Sequence, residues 1–305
     1  MSTRRGSAVW GNTTSRVGAR AGSRRSCARS TWTTIGSTTR SAAAWRWSGT
    51  CTTRSPATRN WFWQRPSARF VRLRPTARSL VLTFEGCEAL GTDPRLLDLY
   101  YELGLRSASL THTRRNAFAD GCWAADKQGG LTSLGRHVVE RLDQLRIVID
   151  LVHIGEVGFW EILELTDNPV ILSHSTPTMF PDTSAASQDL VGGKLPRPRL
   201  ELPRDRAMLE ALAANGGVLG LIHLAHRDVE SVVRDIETAI EVMGPDHVGL
   251  GSDHYGLELA PPGLENISKV PRLTEALASR GHSDETILKF LGGNYLRVFE
   301  QVWQE

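Results

Sequence analysis

The first 80 residues contain no lysine, aspartate, glutamate or histidine, yet they hold sixteen arginines and six tryptophans. A stretch without acids can form no internal carboxylate ion pairs. Its tracts STWTTIGSTTR and AAAWRWSGTCTTR carry neither helical periodicity nor strand alternation. Cysteine is scarce over all 305 residues: Cys27, Cys51, Cys87 and Cys122 are scattered with no C-x-x-C pair. That excludes a zinc ribbon and a disulfide-stapled scaffold, and the four are read as reduced thiols. No apolar run approaches the roughly 18 residues of a membrane span, which points to a cytoplasmic chain without a membrane span.

The formal net charge of +3 hides two kinds of sequence. Sixteen of the 36 basic residues lie before Val81, so the other 20 face all 33 acids, a net of −13 over the remainder. Residues 1–79 are therefore set apart as a basic segment, and residues 80–305 as the folded domain. Three readings of the basic segment stay open. It has the Arg- and Ser-rich, acid-free make-up of an organelle transit peptide, although six tryptophans are unusual there. It has the arginines and aromatics that phosphate neutralisation and base stacking require, although no recognised nucleic-acid motif accompanies them. It is also what a shifted frame of a GC-rich coding sequence would give.

After Leu80 the pattern turns regular. Short apolar runs at 79–84, 106–111, 147–151, 170–172, 218–222 and 247–251 read as buried strands, alternating with helical patterns at 94–103, 134–145, 207–214 and 229–243. A helix also separates the strands at 147–151 and 170–172. Two closing helices are expected at 270–279 and 284–304, the second capped by Ser283. Strands alternating with helices specify βαβ units and a parallel sheet. The expected fold class is α/β, a (β/α)8 barrel incomplete at its N-terminal end, because six strand-helix units are countable and residues 1–80 offer no others. The Pro- and Gly-containing stretch 175–203 is too long for a plain connection and is expected to lie over the rim.

The strand ends carry the chemistry. Glu85, His112, His153, His174 and Asp253 each fall at or just past an apolar run, and His153 and His174 are 21 residues apart, about one strand-helix step. In a parallel barrel all such positions share the C-terminal rim, where the catalytic groups of this architecture sit. A carboxylate and two imidazoles can give zinc three protein ligands and leave a fourth position for water, so Glu85, His153 and His174 are the candidate metal ligands. Asp253 is the candidate acid and base for a metal-activated water, and His112 the candidate donor to a substrate carbonyl. His137, His223, His226, His247, His254 and His282 are read mainly as structural, with His223 and His254 the two nearest the rim positions.

The segments FEG at 84–86, SLTHTRRNAFADG at 109–121, GGLTSLGRHVVERLDQLRIVIDLVHIG at 129–155, PVILSHS at 169–175, LAANGGVLGL at 212–221, DHVGLGSDHYG at 246–256 and LGGNYLRVF at 291–299 together resemble the membrane (renal) dipeptidase family. Those are zinc dipeptidases on a TIM barrel of the metallo-dependent hydrolase type. The resemblance spans about residues 80–305. It implies a two-zinc site bridged by Glu85, with His153 and His174 completing one metal, His112 contacting substrate and Asp253 as acid and base. It implies a dipeptide substrate, with a D-residue often tolerated on the C-terminal side.

Two departures accompany it. The second zinc of the family is held by a His-x-Asp pair at the first strand, and here no histidine precedes His112, so at most one well-formed zinc site is expected. The arginine that binds the substrate carboxylate has no clear counterpart in RPRLELPRDR; Arg204 is preferred over Arg197 and Arg199. The alternative to a metallodipeptidase is an inactive barrel kept as a binding or interaction module. No nucleic-acid partner is indicated, and a homodimer stays open.

Overall fold

The computed structural model describes residues 61–62, 78–123, 129–177, 203–223, 228–254, 256 and 260–304. Six strands form one parallel sheet in strict sequential order: β1 (Leu82–Glu85), β2 (Leu105–Ser109), β3 (Val148–Asp150), β4 (Ile171–Ser175), β5 (Val218–Leu221) and β6 (Val248–Leu250). Helices α1 (Leu96–Glu102), α2 (Ser133–Gln144), α3 (Glu156–Leu165), α4 (Pro203–Ala214) and α5 (Val229–Met243) fill the five crossovers in turn. After β6 come α6 (Pro271–Ser279), α7 (Asp284–Leu288) and α8 (Asn294–Val302). This is α/β architecture of the barrel type, with six strand-helix steps among the described residues. The expected elements are all present, with ends shifted by a few residues.

Burial follows the pattern expected of a parallel sheet covered on both faces. All residues of β3 and β5 are buried, whereas β1 is mostly exposed. The reason is position: β1 pairs only with β2, and among the described residues nothing pairs with its outer edge or with that of β6. Leu82 on this edge is 37% exposed. An unpaired strand edge bearing apolar side chains templates association with other chains. Substituting Leu82→Lys is therefore expected to reduce self-association of the purified chain, measured by light scattering against concentration.

Local chemistry sets the helices. Thr132 caps α2 by accepting the Gly135 N–H, and Val138, Val139 and Leu142 bury one face. Asp228 and Ser231 form a reciprocal capping box on α5, whose Val232, Val233, Ile236, Ala239 and Met243 are buried at helical spacing. Asp228→Ala removes that cap, and the expected cost is about 1 kcal/mol in denaturant unfolding.

Three expectations need correction. The closing helix 284–304 is not continuous: α7 passes through a π-turn at Lys289–Gly293 before α8, with Gly292 at φ 156, a value that a residue with a Cβ rarely adopts. Ser283 does cap α7 through the Thr286 N–H. Helix α4 starts at Pro203, not Ala207, because proline with its missing N–H suits a first helical turn. Lastly, the basic segment carries no strand alternation in its sequence, yet Trp61–Phe62 and Arg78–Ser79 form a two-residue parallel pair. Such a pair is too short to leave a periodic signal. The remainder of the basic segment, with Cys27 and Cys51, and most of the rim stretch at 178–202 lie outside the described residues. Cys87 and Cys122 form no disulfide.

The floor of the sheet is closed by α8. Val298 and Val302 pack on Val148, Ile171 and Val218, the first residues of three strands. Arg297 donates to the Gly216 and Asp246 carbonyls, and Asn294 to those of Pro245 and Val248. These contacts leave the opposite, C-terminal ends of the strands as the open face.

Candidate metal centre

The strand ends on that face converge as the sequence suggested. Glu85 ends β1, His174 lies inside β4, and His153 follows β3 by three residues in a turn. His153 Nε2 is 2.9 Å from Glu85 Oε1 and 3.2 Å from His174 Nε2, and His174 Nε2 is 3.4 Å from the same carboxylate oxygen. Ligand atoms on a tetrahedral zinc at its usual bond lengths stand about 3.3 Å apart. The three donor atoms thus already match the edges of a coordination tetrahedron, and their carboxylate-plus-imidazole chemistry suits zinc. Glu85 is half exposed, while the His174 side chain is only 12% exposed, so one flank of the cluster is walled and the other opens to solvent.

Backbone strain accompanies the arrangement. His153 has φ 62 and Asp253 has φ 52, both in the left-handed region, which costs a residue with a side chain about 1–3 kcal/mol and clusters at functional sites. The left-handed turn lets His153 leave the strand and swing back toward Glu85. His112 stands three residues beyond β2, with its ring 4.4 Å from that of His153 and its Nε2 3.7 Å from Glu85 Oε1. At 56% side-chain exposure it faces outward. The loop behind it is braced by Asn116, which donates to Glu88 and the Leu110 carbonyl and accepts the Phe118 and Ala119 N–H groups. The Arg115–Asp120 ion pair adds to this.

Hydrogen bonds from His153 and then His174 hold the Glu85 carboxyl far below the usual carboxylate range, against the opposing effect of burial. For His174 the largest single influence is burial, which favours the neutral ring. The Glu85 hydrogen bond and the charges of Asp253, Asp150 and Glu85 outweigh it and raise the pKa above the ordinary histidine value. Burial raises Asp253, opposed by the His174, His153 and His112 charges and aided by that of Glu85. Asp253 is thus a stronger base than an exposed aspartate.

His223 and His254 do not join this cluster. Their rings pack edge to face at 5.3 Å, with His223 fully buried. His247 binds the Gly217 carbonyl and His282 bonds to Glu237. Arg204 falls in the first turn of α4; its side chain, like Arg197 and Arg199, lies outside the described residues. Sequence reading passed over Asp150, a buried acid interrupting the apolar run IVIDLV. Its carboxylate Oδ1 accepts the N–H groups of Val152 and Ser173. An ionisable residue inside a strand buried on both faces was the available signal.

Comparison with known proteins identifies the family. The family model for membrane dipeptidase, peptidase family M19, matches residues 74–305. Mouse dipeptidase 3 is 32% identical over 232 residues, covering 72% of this chain and 44% of that protein. Dipeptidase aclJ of Aspergillus oryzae is 31% identical over 239 residues, covering 75% and 52%. The chain thus spans about half the length of these relatives. Among solved structures, a metallopeptidase from Rhodobacter sphaeroides, liganded with a phosphinate mimic of the dipeptide L-Ala-D-Ala, superposes with a TM-score of 0.61 at 27% identity, over 74% of this chain and 64% of that one. The probable dipeptidase PvdM from Pseudomonas aeruginosa, at 20% identity and TM-score 0.64 over 75% of this chain and 70% of that one, shares the fold.

Proposed function

Since the chain belongs to the membrane dipeptidase family, peptidase family M19, we propose that it is a metallohydrolase of dipeptides working from a single zinc held by Glu85, His153 and His174. The observation that carries this is the spacing of those three donor atoms, at 2.9, 3.2 and 3.4 Å. The one-metal reading is supported by the sequence, in which no histidine precedes His112 to form the His-x-Asp pair of a second metal.

Zinc bound there would supply electrophilic polarisation of a water and of the scissile carbonyl near neutral pH. The chain's own groups do the rest. Asp253, made more basic by burial, accepts the proton of the attacking water and returns it to the leaving amine nitrogen. His112 Nε2–H, at the exposed side of the cluster, donates to the carbonyl oxygen as negative charge builds there. The left-handed backbone at Asp253 holds its carboxylate on the rim instead of letting β6 run on. Arg204 is proposed for the substrate's terminal carboxylate. Dipeptides bearing a D-residue on the C-terminal side belong in the first substrate panel, because the Rhodobacter relative is liganded with a mimic of one.

The test is hydrolysis of L,L and L,D dipeptides by the full chain with and without zinc, against chelator-treated protein. Zinc-dependent turnover supports the reading. A chain that binds zinc but turns over no dipeptide would leave the binding-module alternative in its place.

Protons compete with zinc for the two imidazoles. Because its carboxylate neighbours raise the His174 pKa above that of an ordinary histidine, zinc affinity is expected to fall, as pH is lowered, from a higher pH than an ordinary histidine would give. Competition titrations with a chelator of known pH dependence, run from pH 8 to pH 6, check it.

A further inference from the structure

Between β3 and β4 the backbone ladder is thin where the two histidines emerge. One residue pair is in register, Asp150 with Ile171, followed by a single bond from the Leu151 N–H to the Ile171 carbonyl. Beyond it a side chain takes over. Asp150 Oδ1 accepts from the Val152 N–H at 3.0 Å and from the Ser173 N–H at 3.0 Å. Val152 immediately precedes His153, and Ser173 immediately precedes His174. One oxygen therefore ties together the two backbone segments that deliver both imidazoles.

Ser173, which Asp150 holds by its N–H, also touches the His174 ring. With Nε2 turned to Glu85 and His153, the other ring nitrogen, Nδ1, lies 3.1 Å from Ser173 Oγ. Asp150 therefore bears on His174 through Ser173, whose backbone it anchors and whose hydroxyl meets the ring. From the floor side, Tyr295 of α8 donates its hydroxyl to the Ser173 carbonyl at 3.0 Å. Its ring has room only because β5 and β6 carry Gly220 and Gly249, where a Cβ would collide with Tyr295.

We propose that Asp150 is a positioning residue for the metal centre, holding through two N–H groups the backbones that deliver His153 and His174 and, with them, Ser173, whose hydroxyl meets the His174 ring. This rests on the reading of Glu85, His153 and His174 as metal ligands. Hydrogen-bond partners of metal-bound histidines usually set ring orientation and basicity, and their loss costs about 10- to 100-fold in metal affinity.

The experiment uses the full chain, titrated with zinc against a competing chelator, with the visible spectrum of the cobalt-substituted protein and the circular dichroism melt recorded in parallel. Asp150→Asn keeps the shape and removes the charge; it is expected to weaken zinc binding about 10- to 100-fold and shift the cobalt bands. Ser173→Ala is expected to weaken binding about 10-fold. The two losses should be less than additive in the double variant, because both act on His174 through Ser173. A merely structural Asp150 would lower the melting temperature and leave zinc affinity and cobalt spectrum unchanged, and that result overturns the proposal. If Asp150→Asn does not fold, Ser173→Ala decides by the same two readouts. Failure of the unmodified chain to bind zinc would remove the metal reading itself, a different outcome from unmodified binding that neither substitution disturbs.

Discussion

His153→Ala in the full chain is expected to weaken zinc binding by about 100-fold or more, beyond the effect of any supporting group. The histidine contributes one of three donor atoms that lie within 4.8 Å of one another. Two protein ligands cannot define the open three-ligand site that a catalytic zinc needs. Glu85→Gln should fall in the same range, since an amide oxygen brings no charge to offset that of the ion. His112→Ala is the contrast: its Nε2 is 3.7 Å from the Glu85 oxygen and its ring is largely exposed, so zinc affinity should change little while dipeptide turnover falls. Chelator competition on the three variants reads these outcomes directly. Equal affinity in His153→Ala and the unmodified chain would place any bound zinc elsewhere.

Asp253→Asn is expected to lower kcat for dipeptide hydrolysis by about 10²- to 10⁴-fold while zinc stays bound. The asparagine keeps the size of the side chain and cannot accept the water's proton. Because Asp253 is outside the triad of closest donor atoms, loss of turnover with retained zinc separates proton transfer from metal binding. Unchanged turnover in Asp253→Asn would exclude it as the base. Steady-state kinetics and zinc content on the same preparations give both numbers.

The architecture was legible because inner parallel strands are buried on both faces and so read as short apolar runs. Val148–Asp150 and Val218–Leu221 are fully buried and stood out in the sequence. The rim was legible because a parallel sheet gathers strand ends regardless of chain separation. Glu85 and His153, 68 residues apart, come within 2.9 Å. Less visible was how the side chains get there. His153 leaves its strand three residues past the end of β3 through a left-handed turn, and a φ value leaves no mark in composition when the residue is not glycine. Asp150 was hidden for the opposite reason: its partners are main-chain N–H groups, which no residue pattern encodes. The break at Gly292 was masked by the helical spacing that runs through it on either side.

The edges of the sheet connect fold to function. Strand β1 carries Glu85 and, like β6, pairs on one side only among the described residues, so one of the proposed ligands stands on an edge strand. Zinc would tie that strand to β3 and β4 through one ion, and binding to the folded state alone stabilises it.

Zinc-edge X-ray absorption on the full chain loaded with one equivalent of zinc measures the centre most directly. A first shell of two imidazole nitrogens with carboxylate and water oxygens near 2.0 Å is expected for binding at Glu85, His153 and His174. A shell containing sulfur, or oxygens without imidazole, would contradict it.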